Sequence, residues 1–354
     1  MDEQGRNGGR GRRGGKGIMN IGRFYRKAVA AGIAADLRGK KEIDRLLAEA
    51  AEEYKGAAAE DKEFFDRDRL FNPYADTRLL TGDPETPVRR ILAGIDIDGG
   101  ELHLARSLNR EPAGPKIDLV LSHHPLGPAQ YRMYDVMRLQ AGLLALHGVT
   151  VSVAEQLMDK RIEEVERRLL PANATRTMDL ARALGLPLIC LHTVADNCVT
   201  NYLTKLFAAK KPSRLKDLVR LLRAIPEYER SFRLQAPPKI INGKDSHSCG
   251  KIFVDMTGGT EGAKEIFDKL VSGGVSTIVG MHMSEEHLAN ARKAGINVVI
   301  AGHIASDVLG LNLLLDDVEK DGRLDYVCVS GFERIRRMKP ESKQAGRRRS
   351  PPPR

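Results

Sequence analysis

The sequence predicts an α/β fold. Short apolar runs alternate with amphipathic helical stretches from residue 88 to the end of the body. Several of these runs stop abruptly at histidine or glycine. A stretch rich in Ala, Leu, Glu and Lys with helical spacing precedes them. Such alternation builds a mostly parallel or mixed sheet covered by helices.

The elements follow in order. Residues 1–17, with GGRGRRGGKG, read as a disordered basic tail. Residues 18–71 read as a helical N-terminal extension of two or three helices, from FYRKAVAAGIAADL and IDRLLAEAAEEYKGAAA. Residues 72–205 form a first α/β half. It opens with a loop, NPYADTRLLTGDPETP (72–87), and a buried strand, VRRILAGIDID (88–98). A short helix at GGELHLARSLNR leads to the strand KIDLVLSHHP (116–125), a helix at 131–147 and the strand VTVSVA (149–154). Helices at MDKRIEEVERRLL and 177–184 precede the strand LPLICLHT (186–193). Residues 206–238, basic and broken by prolines, read as a helical linker. The second half spans 239–335, with strands KIFVDMTGG, VSTIVG, INVVIAGH and LDYVCVSG and helices EGAKEIFDKLVSGG, SEEHLANARKAG and ASDVLGLNLLLDDVEK. Residues 336–354 are a second disordered basic tail.

The net charge of +10 invites a nucleic-acid function, but its location argues otherwise. Five basic and two acidic residues fall in 1–17, and eight basic and one acidic in 336–354. That leaves the 44 bases of residues 18–335 balanced by 44 acids. Any polyanion binding therefore belongs to the tails and is weak. Absent Trp and only 5% aromatics argue against a base-stacking platform. The four cysteines show no CxxC spacing, which fits a reducing cytoplasm better than a disulfide framework. No apolar run is long enough to span a bilayer, so no membrane partner is expected.

Chemistry concentrates where strands end, the edge at which α/β sheets bind ligands. His123 and His124 close a strand and precede Pro125, which biases His124 to an extended or turn conformation and lets both imidazoles reach one site. His192 and Asp196 follow the next strand four residues apart, one turn of a helix. His303 and Asp307 repeat that spacing after INVVIAG. Imidazoles with carboxylates suit zinc, iron, manganese or cobalt. His282 and His287 flank another strand end, and the glycine turn MTGGTEGAKEIF offers backbone N–H groups to an anion or serves as an ordinary β–α turn. Cys198 lies close to Asp196 in sequence.

The ordered set DLVLSHHPL, HTVAD with Asn201 beyond it, and AGHIASDVLGLNLL resembles the GTP cyclohydrolase 1 type 2-like, or NIF-three-like, dinuclear metal family. ILAGIDID and LLTGD add to the likeness, which covers roughly 75–335. The resemblance implies two related α/β halves with mixed sheets and a homo-oligomer, often a hexamer. It implies His123, His124, Asp196 and His303 as metal ligands, with a carboxylate at 307 shared between two divalent ions. The family carries Glu where Asp307 stands, so the reach is shorter by about 1.3–1.5 Å.

The chemistry implied is hydrolysis of a nucleotide, pterin or phosphoester-type small molecule, with His192 or His282 as candidate acid–base groups. Two other readings stay open. One is a non-enzymatic metal-binding regulatory or interaction protein whose basic tails engage polyanions. The other is a single structural metal.

Overall fold

The computed structural model describes residues 19–337. The segment 1–17 and, apart from Arg336 and Arg337, the segment 336–354 lie outside the described residues, and with them the expectation of disordered tails. Those two arginines are anchored: Arg336 pairs with Glu319, and Arg337 with the buried Glu227.

The N-terminal helices are α1 (Ile21–Ala35), capped by the Asn20 side chain, and α2 (Lys40–Gly56). The loop expected at 72–87 contains a strand, β1 (Arg78–Thr81). Then come β2 (Arg90–Gly94), α3 (Gly99–Arg110), begun by a capping box between Asp98 and Glu101, and β3 (Leu119–Ser122). The helix expected at 131–147 is broken into α4 (Pro128–Tyr131), α5 (Met133–Val136) and α6 (Arg138–Leu146).

The strand expected at 149–154 is absent; α7 (Val151–Leu169) begins there instead. Its buried Ala154, Met158, Ile162 and Val165 recur every three or four residues. That periodicity outweighs the β-branched Val-Thr-Val start. After α8 (Arg176–Leu184) and β4 (Leu188–Cys190) runs α9 (Thr193–Lys210).

The 206–238 stretch folds as the end of α9, α10 (Leu215–Arg223) and α11 (Pro226–Arg233). Leu215, Leu218, Leu222 and Tyr228 are fully buried there, so this stretch is packed into the body.

The remaining elements are β5 (Lys239–Asn242), β6 (Lys251–Asp255), α12 (Phe267–Ser272), β7 (Val275–Gly280) and α13 (Glu285–Ala294). They are followed by β8 (Asn297–Ile300), α14 (His303–Val318) and β9 (Asp325–Cys328). The helix expected from Glu261 forms only from Phe267, which leaves 256–266 as an irregular loop.

Two mixed sheets result. One has the order β1-β4-β3-β2-β9, the other β5-β8-β7-β6. In each, the first strand is antiparallel to its neighbour and the rest are parallel. The second sheet thus repeats the first, strand for strand, and the two halves are related. The last strand, β9, returns to the first sheet beside β2.

Helices α9 and α14 contribute to the apolar cluster under the first sheet and to the cluster under the second. They therefore form the layer between the sheets. Helices α3 and α8 cover the outer face of the first sheet, and α6, α7, α12 and α13 that of the second.

A candidate metal centre between the two sheets

The strand repeat brings histidines to one place. In register, Ser122 of β3 pairs with Cys190 of β4, and Gly280 of β7 with Ile300 of β8. His123 and His124 leave the end of β3, and His282 leaves the end of β7 at the position matching His124. His192 and Asp196 start α9 after β4, as His303 and Asp307 start α14 after β8. The recurring His–Asp spacing is the trace of the internal repeat.

All the expected residues converge. The ring centroids of His123 and His192 are 5.0 Å apart, those of His124 and His303 5.3 Å, and those of His282 and His303 5.0 Å. His123 Nε2 lies 3.5 Å from Asp196 Oδ1 and 3.5 Å from Asp307 Oδ1. Asp307 Oδ2 lies 3.5 Å from both His124 Nε2 and His303 Nε2. The floor is sealed, with His123 0%, Asp307 1% and Asp196 4% exposed, while the His303 side chain at the rim is 42% exposed.

The imidazoles are oriented from behind. His123 Nδ1 is 3.0 Å from the Leu191 carbonyl, which can only accept, so Nδ1 carries the proton and Nε2 presents a lone pair inward. His124 Nδ1 meets Asp96 Oδ1 at 2.6 Å, and His192 Nδ1 meets Asp76 Oδ2 at 2.7 Å. Thr193 donates its hydroxyl to the same Asp76 oxygen. Asp76 and Asp96 are the residues that sequence reasoning missed. Asp96 closes ILAGID and was visible as a strand-end carboxylate. Asp76 lies 116 residues from His192, in a stretch read as loop, and carried no local signal.

The electrostatics are those of a site built for positive charge. Burial pushes the Asp196 carboxyl up to about 6, despite His192 and His123 beside it. Burial also opposes the charge on Asp307, but His123, His124 and His303 outweigh it and hold this carboxyl well below the usual range. Burial would lower His192; Asp196 and Asp76 overcome it and carry the imidazole up to about 9.

His123 Nε2, Asp196 Oδ1 and both Asp307 oxygens are buried without a hydrogen-bond partner. Each such atom costs roughly 1–3 kcal/mol if left unsatisfied. Divalent cations held by these groups would satisfy all four. Ligand atoms about 3.3–3.6 Å apart are what tetrahedral coordination at roughly 2.0–2.2 Å produces. The residues therefore fit a metal. Three groups can hold one: His123, Asp196 and Asp307; His124, His303 and Asp307; and His123, His124 and His192.

Other candidates fall outside this cluster. His287 turns to the Gly262 carbonyl and to Ser284. Cys198 packs against the first apolar cluster, and burial pushes its thiol up to about 12. The glycine turn carries Thr257, Thr260 and Glu261 to the cleft, joining Asp255 and His282 there. No helix among the described residues is long and apolar enough to cross a membrane.

No protein-family model matches the sequence, and no curated protein does. Solved structures do match. A NIF3 superfamily protein from Sphaerobacter thermophilus is 26% identical, with 73% of this chain and 92% of that one covered at a TM-score of 0.63. Reduced HcgD from Methanocaldococcus jannaschii is 14% identical over 71% and 87% of the two chains, at a TM-score of 0.43. The protein ybgI, titled as of unknown function, is 16% identical over 74% and 92%, at 0.44. The paired mixed sheets, the likeness to the Sphaerobacter protein over nearly its whole length, and the ordered His-His and His–Asp motifs make this chain a member of the NIF3 superfamily.

Proposed function

We propose that the centre holds two divalent transition-metal ions and that the protein is a metal-dependent hydrolase of a small molecule. The observation that carries this is the position of Asp307. Its Oδ1 faces His123, beside Asp196, while its Oδ2 faces His124 and His303. The Asp307 side chain addresses both sets. His123, Asp196 and Asp307 would hold one ion; His124, His303 and Asp307 the other. Zinc, iron, manganese and cobalt all suit this donor set. Two such ions supply an activated water and an electrophilic clamp on a reacting oxygen.

The chain's own residues do the rest. Asp76 and Asp96 fix the tautomers of His192 and His124. Glu261 Oε1 lies 3.5 Å from His282 Nδ1, which aligns that imidazole at the open side of the cleft as a proton carrier. His192, held at Nδ1, has Nε2 3.7 Å from Asp196 Oδ2 and is the second acid–base candidate. The substrate classes we favour are those whose hydrolysis needs water activation: a heterocyclic ring opening, as of a nucleotide base or pterin, or a phosphoester. The family resemblance supports a homo-oligomer for this reading, and the cysteine spacing supports a cytoplasmic setting.

The test is turnover by protein loaded separately with zinc, manganese, iron(II) or cobalt, against panels of nucleotides, pterins and phosphoesters. We expect turnover with at least one metal, abolished in Asp307→Asn. No turnover on any panel at full metal occupancy contradicts the hydrolase.

A further inference from the structure

The metal cleft does not end at the metal centre. Its far wall comes from the second half: Asp255 at the end of β6, Thr257, Thr260 and Glu261 from the glycine loop, and His282 after β7. Asp255, Glu261 and His282 also form the mouth of a second cavity, walled by Leu144, Met158, Phe253, Ile266, Phe267 and Leu270. The two spaces measure about 70 and 40 Å³ and share those three residues as a common wall. A polar cleft beside an apolar chamber is the setting of a small-molecule site.

Two of the three shared residues are carboxylates, and the third is His282. Among the described residues, no donor reaches the Asp255 carboxylate, and its nearest charged neighbours are His287, His282 and Glu261. It is solvent-exposed at the cleft and lines both spaces. Burial also opposes the charge on Glu261, but His282 and the Ser284 N–H outweigh it and bring this carboxyl down to about 2. Glu261 Oε1 is taken by that N–H at 2.6 Å and faces His282 at 3.5 Å, whereas among the described residues Oε2 has His287 alone, at 3.7 Å. No lysine or arginine lines either space among the described residues. A phosphate chain would meet two carboxylates at this wall and no lysine or arginine.

We propose that this far wall is a substrate subsite for an amidine- or amine-type nitrogen group attached to a short apolar arm. Asp255 and Glu261 accept its N–H groups, and the arm enters the chamber beside Phe253 and Phe267. The chamber holds an arm of a few carbons. The bond to be hydrolysed then sits between this nitrogen group and the metal centre, and a polyphosphate tail is excluded from the far wall. This rests on the metal-hydrolase reading of the same cleft and narrows its substrate class.

Three small probes test it on wild-type protein by saturation-transfer NMR: butyramidine, acetamidine and butyrate. In metal-free protein we expect butyramidine to bind at least about ten-fold tighter than butyrate, as charge-assisted pairing to carboxylates requires. Acetamidine, lacking the arm, should bind more weakly than butyramidine. Asp255→Asn and Glu261→Gln should each weaken butyramidine by about ten-fold. Ala263→Leu, which fills the chamber, should weaken butyramidine and spare acetamidine.

Equal binding of butyrate and butyramidine by the wild type overturns the subsite, as does unchanged binding in both carboxylate variants. In manganese-loaded protein, protons of bound butyramidine should show strong paramagnetic relaxation. Manganese that binds without relaxing them places the nitrogen group elsewhere. Failure of manganese to bind at all refutes the metal reading and leaves the amidine comparison to decide the subsite.

Discussion

Asp307 is the residue on which the site turns. Its two oxygens face different histidines and neither has a hydrogen-bond partner. Such an arrangement destabilises the metal-free protein and rewards a cation. The supporting carboxylates are as informative. Asp76 is fully buried, and burial opposes its charge; its bonds to His192 and Thr193 more than compensate and hold it ionised.

A pH prediction follows from this pair. The folded-state His192 titrates near 9 against an ordinary value of 6.5, so it contributes stability that is complete below 6.5 and lost as pH rises through 9. Asp196 acts in a lower window, between 3.8 and 6, and does not mask it. In chelator-treated protein, the urea midpoint should therefore fall between pH 6.5 and 9, and Asp76→Asn should flatten that fall. An equally steep fall in the variant would show that Asp76 does not hold the His192 charge.

At the scale of elements, the centre depends on how closely α14 approaches α9. Asp196 rides on one helix and Asp307 on the other. Gly310 permits the approach: a Cβ there would lie 2.5 Å from the Ala195 carbonyl oxygen. Gly32 does the same between α1 and α9, where a Cβ would lie 2.5 Å from Val194 Cβ. Gly310→Ala must separate the two helices. We expect a loss of about 1–3 kcal/mol in urea unfolding together with weaker metal binding in titration calorimetry. Unchanged metal affinity would show that the spacing of the helices does not set the site.

The same scale shows where local patterns mislead. Val149 to Ala154 carry strand-forming residues, but the buried positions beyond them recur at helical spacing and the chain follows those. The strand β1 went unread because its four residues sit among turn formers and pair antiparallel at a sheet edge.

For the molecule as a whole, the α/β alternation and the strand-end histidines were legible because both are local patterns. The sequence also showed that His192–Asp196 and His303–Asp307 share a spacing. That the two pairs are equivalent positions of a repeated sheet emerged only from the strand order. Contributions that cross the molecule were not legible. Asp76 reaches His192, and Asp255 and Glu261 face a centre assembled mostly by the other half. No periodicity records such contacts, because they exist only once the two sheets close on a common cleft.

The central claim is a two-ion centre bridged by Asp307, and metal stoichiometry tests it most directly. Protein purified without chelator or histidine tag, and analysed by elemental mass spectrometry per chain, should carry two transition-metal ions. The double variant His123→Ala/His124→Ala should carry none, and Asp196→Asn should retain the ion held by His124, His303 and Asp307. One ion per chain in the wild type, or full metal content in the double variant, would contradict the account.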